Sequence, residues 1–182
     1  MFNFDPMPFA ILAVISIVLV PIQTSCEEYL FRGYLMQGLG LACKNKWMPL
    51  LITSVLFGVL HSANPEVEKI GLILMVYYIG TGLFLGIITL MDEGLELALG
   101  FHAANNLVTV LLVTSDWTAL QTDSIFIDVS EPSAGLSVIA PVFIIFPIFI
   151  IILAKKYKWS HWKGKLFGTI PPKNITEMIT EE

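Results

Sequence analysis

Charge is what this chain has least of. Only 14% of its 182 residues are Asp, Glu, Lys or Arg, against about 25% in an ordinary soluble domain. A water-facing surface cannot be built from so few charges, and 55% of the residues are apolar. Cysteine is scarce as well: Cys26 and Cys43 are the only two, and neither stands in a CxxC or other metal-ligand spacing. Cys26 directly precedes Glu27, which leaves a thiol nucleophile to be weighed against a small buried apolar residue. The net charge of -5 comes without any basic stripe, which excludes a nucleic-acid surface. No Lys or Arg precedes the first apolar segment and Asp5 does, unlike the charged start of a signal peptide.

What the chain has in quantity is uncharged length, in stretches that suit a hydrocarbon core about 30 Å thick. The expected fold is an all-α, polytopic transmembrane helix bundle of about five spans, with residues 1–158 as the membrane bundle and 159–182 as a polar cytoplasmic tail. The first span covers 7–24 and continues past Glu27, Glu28 and Arg32 into 33–42, as one long helix or two halves, with Pro21 permitting a kink. The others are expected at 47–62, 70–91, 95–114 and 135–154, with Pro141 and Pro147 bending the last. Gly71, Gly80, Gly82 and Gly86 read as positions of close helix packing.

Lysine placement sets the expected orientation, because cytoplasmic loops are enriched in Lys and Arg. Placing Lys44 and Lys46 inside also places Lys155, Lys156, Lys158, Lys163 and Lys165 inside. The 115–133 loop, with four acids and no Lys or Arg, then lies outside, with the N-terminus out and the C-terminus in. Trp47, Trp117, Trp159 and Trp162 fall near span edges, as interfacial tryptophans do. Residues 168–182 read as a loosely held polar tail. Its Asn174-Ile175-Thr176 fits a glycosylation pattern that would be idle on the cytoplasmic side.

Against this apolar background three polar clusters stand out. A charge at the centre of a spanning helix costs about 2.5–3.5 kcal/mol on insertion scales, so such residues call for a partner and a function. In Glu27-Glu28-xxx-Arg32, Glu28 and Arg32 are four apart on one face and can pair. Glu27 lies about 100° round the helix, which separates one structural acid from one reactive acid. In Phe57-xxx-His61, the phenylalanine one turn earlier can pack on the imidazole and fix its rotamer. In His102-xxx-Asn106, the two share a face, Asn105 lies near it, and two alanines keep the approach open. Helix packing explains each cluster singly, but not three helices bringing polar groups into one small bundle.

These three clusters, in this order on successive apolar helices, resemble the motif set of the CPBP family of intramembrane glutamic endopeptidases. That family includes type II CAAX prenyl endopeptidases and abortive-infection and bacteriocin self-immunity proteins. The resemblance covers roughly residues 26–113. It implies a peptidase of a prokaryotic cell membrane acting on a peptide or protein substrate, such as a prenylated CAAX protein. It also implies Glu27 as general base, His61 helping to hold water, and His102 with Asn106 as an oxyanion site. Glu28 and Arg32 would brace the first helix, with Phe57 supporting His61. Peptide hydrolysis needs these parts, since water must lose a proton to a nearby base and the tetrahedral oxyanion needs aimed donors.

Family members often carry several spans ahead of the Glu-Glu motif, and here one precedes it. A substrate entrance would then be built differently, for instance by a second copy in a homo-oligomer. No cofactor is expected on this reading. The alternatives are a divalent metal such as zinc on Glu27, Glu28, His61 and His102, although no HExxH is present, or a non-catalytic immunity or scaffold protein.

Overall fold

The computed structural model describes residues 1–171. The expected tail beyond that point, with Asn174-Ile175-Thr176, lies outside the described residues.

Helix α1 (Pro6–Cys43) is one continuous helix of 38 residues, which settles the choice between one rod and two halves. Its start is specified locally, by Pro6 in the first turn and by the Asp5 side chain accepting from the Met7 N–H at 3.3 Å. Pro21 lies within it, and the Thr24 hydroxyl bonds to the Val20 carbonyl at 2.9 Å. After Glu28 the winding loosens into a π-helical stretch, Tyr29–Leu35, where the Met36 N–H reaches back five residues to Phe31. Such wide turns gather at functional sites, and this one begins next to the first polar cluster.

Next come α2 (Trp47–Leu60), the short α3 (Pro65–Ile70), α4 (Leu74–Asp92) and α5 (Glu96–Leu112). Helix α6 (Leu136–Lys156) contains a second π-helical stretch, Pro141–Ile145, and the short α7 (Trp162–Phe167) follows. The third expected span therefore starts four residues late. Gly71 has φ 93°, left-handed backbone that suits glycine and ends α3, so it is a breaker and not a packing position. The 115–133 segment, expected as plain loop, takes part in a small parallel pairing of β1 (Val113–Thr114) with β2 (Phe126–Ile127). The N-terminus joins it: Asn3 N–H bonds to the Ile125 carbonyl and Ile127 N–H to the Met1 carbonyl, both at 2.9 Å.

Among the described residues, α1, α4 and α6 are long and apolar enough to cross a membrane, while α2 and α5 are shorter apolar helices. Their packing is that of a protein solvated by lipid. The buried residues of the Pro6–Glu28 part of α1 are Ser16, Thr24 and Glu28, whereas Ile11, Val14, Val18 and Ile22 point outward. Helix α4 is central, packing against α2, α5 and α6. Its Phe84, Leu85 and Ile88 form a core with Ala98 and Phe146, and the Phe84 and Phe146 rings stack at 4.7 Å.

The α2–α4 crossing is close because Gly82 faces Ser54. A Cβ at Gly82 would lie 2.9 Å from the Ser54 Cα and carbonyl oxygen, which are backbone atoms that cannot rotate away. At the other end of the bundle the C-terminal segment, expected as a free tail, is docked where it is described. Lys46 N–H bonds to Gly168 O at 3.1 Å and Ile170 N–H to Lys44 O at 3.0 Å. Trp159 Nε1 donates to Asp92 at 3.0 Å. Lys165 reaches Met91 O at 2.8 Å and Glu93 at 3.0 Å, which holds the exposed Glu93 carboxyl below its ordinary range.

Gly82→Ala is expected to cost about 1–3 kcal/mol through overpacking. Gly38→Ala, a helical position where an added Cβ meets nothing within 4 Å, is expected to stabilise by about 0.5–1 kcal/mol. Thermal unfolding of both variants in detergent checks this.

Candidate active site

Four helices build the site around Glu27, Glu28, Arg32, Phe57, His61 and His102, with Asn105 and Asn106 about one turn beyond His102 on the same helix. Helix α1 supplies Glu27, Glu28 and Arg32, α2 supplies Phe57 and, at its end, His61, and α5 supplies His102, Asn105 and Asn106. The fourth, α4, contributes a backbone carbonyl. Glu28 and Arg32 are fully buried and paired at 3.0 Å, as their spacing predicts. Arg32 has a second partner that spacing does not reveal, the Gly82 carbonyl of α4, at 2.8 Å. Its guanidinium also lies 4.9 Å from the centre of the Phe57 ring, within cation–π range.

Glu28 Oε1 accepts again, from His102 Nδ1 at 2.7 Å. Because this oxygen is also the ion-pair partner of Arg32, the proton belongs on His102 Nδ1, and Nε2 is left facing the rest of the site. There it lies 3.8 Å from Glu27 Oε2. Glu27 Oε1 accepts a short bond from Gln23 Nε2, one turn earlier on α1. Glu27 Oε2 is buried and makes no hydrogen bond among the described residues. A buried acceptor in that state carries a large desolvation cost, so it is poised to bind a donor such as water.

The structure thus brings His102 against both carboxylates, while His61 takes a different position. Among the described residues no direct hydrogen bond joins His61 to Glu27. His61 Nδ1 lies 2.7 Å from the Phe57 carbonyl, which can only accept, so Nδ1 carries the proton and the neutral ring offers an acceptor lone pair at Nε2. The Phe57 side chain packs on His61 with ring centres 4.7 Å apart, as its spacing suggests, and on His102 at 5.8 Å. It also meets Phe31 edge-on at 5.5 Å. Phe57 is therefore the common wall of the site. Asn106 is half-buried, and its Oδ1 accepts from Asn105 Nδ2 at 3.2 Å, so its own amide hydrogens remain free to donate.

Two contributors were not found by reading motifs. Gln23 carried a usable signal, an amide four residues before Glu27. Tyr78, which stacks on His61 at 4.6 Å, carried none. Cys26 is exposed. Among the described residues, His, Cys, Asp and Glu side chains do not gather into a group of three able to hold a metal ion.

The sequence profile of the family described as type II CAAX prenyl endopeptidase Rce1-like matches residues 6–108. The chain belongs to this Rce1-like family. The matched region contains every residue of the cluster, from Gln23 to Asn106, and identifies the bundle as that of a membrane protease family. The chain is also similar to the uncharacterized protein YyaK of Bacillus subtilis (strain 168), with 40% identity over 112 residues. That stretch is 62% of this chain and 38% of YyaK, so the chain spans well under half the length of that relative. No solved structure matches.

Arg32→Leu strands Glu28 in the interior and is expected to cost about 3–5 kcal/mol, whereas replacing both partners by leucine recovers most of the loss. Arg32→Lys does not recover it, since one ammonium cannot reproduce a fork that spans Glu28 and Gly82 O. Detergent melting of the four variants, with single Glu28→Leu closing the cycle, measures the coupling.

Proposed function

We propose that this chain is an intramembrane endopeptidase in which Glu27 activates a water molecule for attack on a peptide bond. The observation that carries the reading is the buried, unpartnered Glu27 Oε2, held beside His102 by Gln23 and by the Glu28–Arg32 brace. Glu27 takes one proton from water as the oxygen bonds to the carbonyl carbon. His61 Nε2, an acceptor by its tautomer, receives the second hydrogen bond of that water and orients it. The carbonyl oxygen becomes an oxyanion that takes donors from the free amide of Asn106 and from His102 Nε2 when that ring carries both protons. Collapse of the tetrahedral intermediate breaks the C–N bond, and the proton held by Glu27 passes to the leaving amine. The products are a new carboxyl terminus and a new amino terminus.

The substrate class proposed is a prenylated CAAX-type protein or another peptide presented at the membrane, in keeping with the family's description. The apolar outer faces of α1 and α6 support a reaction within a bilayer. The two basic stretches lie at one end of the bundle, since the Lys44–Lys46 link pairs with residues 168–170. We assign that end to the cytoplasm and the acidic 115–133 segment to the outside.

In proteoliposomes, Glu27→Gln is expected to abolish cleavage of a farnesylated CAAX reporter peptide while leaving the melting temperature near that of the parent. Asn106→Ala should slow cleavage about 100- to 1000-fold, as loss of one oxyanion donor does. Exhaustive chelation should leave the rate unchanged. Full activity in Glu27→Gln would point to another base, no cleavage by the parent would point to a non-catalytic membrane protein, and loss on chelation restored by zinc alone would point to a metal enzyme.

A further inference from the structure

His61 ends α2 half-exposed, a poor place to hold an imidazole still. A bond from Nδ1 to the Phe57 carbonyl fixes one atom of the ring but leaves the plane to rock. Opposing this is a set of contacts from outside the motif clusters. The Tyr78 ring of α4 stacks on His61, with centres 4.6 Å apart and planes 25° apart. The Tyr78 hydroxyl donates to Glu66 Oε1 at 2.7 Å, and Asn64 Nδ2 donates to the same oxygen at 3.2 Å. Asn64 Nδ2 also lies 3.3 Å from the Tyr78 hydroxyl. Glu66 Oε2 accepts the Ala119 backbone N–H at 2.9 Å. One carboxylate therefore gathers donors from α4, from the start of α3 and from the 115–133 segment.

We propose that Tyr78, anchored by Glu66, is a positioning residue for His61, and that through Ala119 the same clamp couples His61 to the 115–133 segment. The inference rests on the proposed role of His61 in orienting water. Tyr78 touches no reacting atom. Together with the Phe57 ring 4.7 Å away, it packs the imidazole against two aromatic neighbours and keeps Nε2 in one direction. Glu66 holds Tyr78 in its rotamer by anchoring the far end of the ring. Small displacements of a positioned group are expensive in catalysis, reaching about 100-fold for 1 Å, which is why a residue remote from the substrate can govern the rate.

The test uses the full chain in detergent or proteoliposomes, with three variants. Tyr78→Phe keeps the stack and loses the anchor, Tyr78→Leu loses both, and Glu66→Gln weakens the anchor while leaving α4 untouched. The first readout is the 15N imidazole spectrum of His61, assigned by its disappearance in His61→Gln. The parent should give one tautomer with Nδ1 protonated. Tyr78→Leu should give mixed or exchange-broadened signals, with Tyr78→Phe and Glu66→Gln intermediate. The second readout is kinetic: Tyr78→Leu should lower kcat by about 10- to 100-fold with KM nearly unchanged, and Tyr78→Phe should restore most of the loss. A Tyr78→Leu protein with the parent's spectrum and the parent's kcat overturns the clamp. If Tyr78→Leu does not fold, the same result in Glu66→Gln overturns it. Full activity in Glu27→Gln would instead overturn the role of Glu27 as the base, and the spectrum alone would then decide whether Tyr78 positions His61.

Discussion

Everything in the bundle's interior depends on the burial of one ion pair, Glu28 with Arg32. Two charges without water are tolerable only when paired and hydrogen-bonded, and the partners beyond the pair itself come from other helices. Arg32 needs the Gly82 carbonyl and so draws α1 to α4. Gly82 must lack a side chain because Ser54 of α2 lies against it. Glu28 takes His102 and so draws in α5, and Phe57 of α2 closes over the guanidinium. The hydrocarbon outside cannot drive this association, since lipid tails are as apolar as the outward side chains. Polar partnership and close backbone contact hold the helices together here.

The same pair organises the proposed chemistry without taking part in it. Once Glu28 has committed His102 Nδ1, the other nitrogen of that ring must face Glu27. Glu27, rotated away from the pair by one residue, keeps an oxygen that no group among the described residues satisfies. Glu28 is committed to Arg32 and His102, while Glu27 is held through its other oxygen by Gln23. The fold therefore separates bracing from reaction at the level of two neighbouring residues.

Much of this was legible in the sequence, and the limits follow from what sequence spacing can encode. Contacts within one helix were readable: Glu28 with Arg32, Phe57 with His61, and the shared face of His102 and Asn106 all follow from a four-residue step. The helices were readable from apolar length, but apolar length left open whether α1 is one rod or two halves. Contacts between helices were not. Spacing cannot say that His102 meets the glutamates while His61 stacks on Tyr78, nor that Arg32 ends on the Gly82 carbonyl, because a backbone acceptor leaves no mark on residue identity. Gly71 and Gly82 look alike in a string, yet one breaks a helix and the other admits a neighbour. The docking of residues 168–170 on the Lys44–Lys46 link was likewise invisible, as backbone pairing between short polar segments has little signature.

The central claim is that water, activated by Glu27 and with no protein nucleophile, attacks the substrate. Single-turnover cleavage in H2(18)O, followed by acid quench and mass spectrometry of both product and protein, tests it directly. The account predicts one 18O in the new carboxyl terminus, no peptide adduct on the protein at any time, and no label in the Glu27 side chain. A covalent peptide adduct on Cys26 or Glu27, or 18O carried into the Glu27 carboxylate, would contradict it.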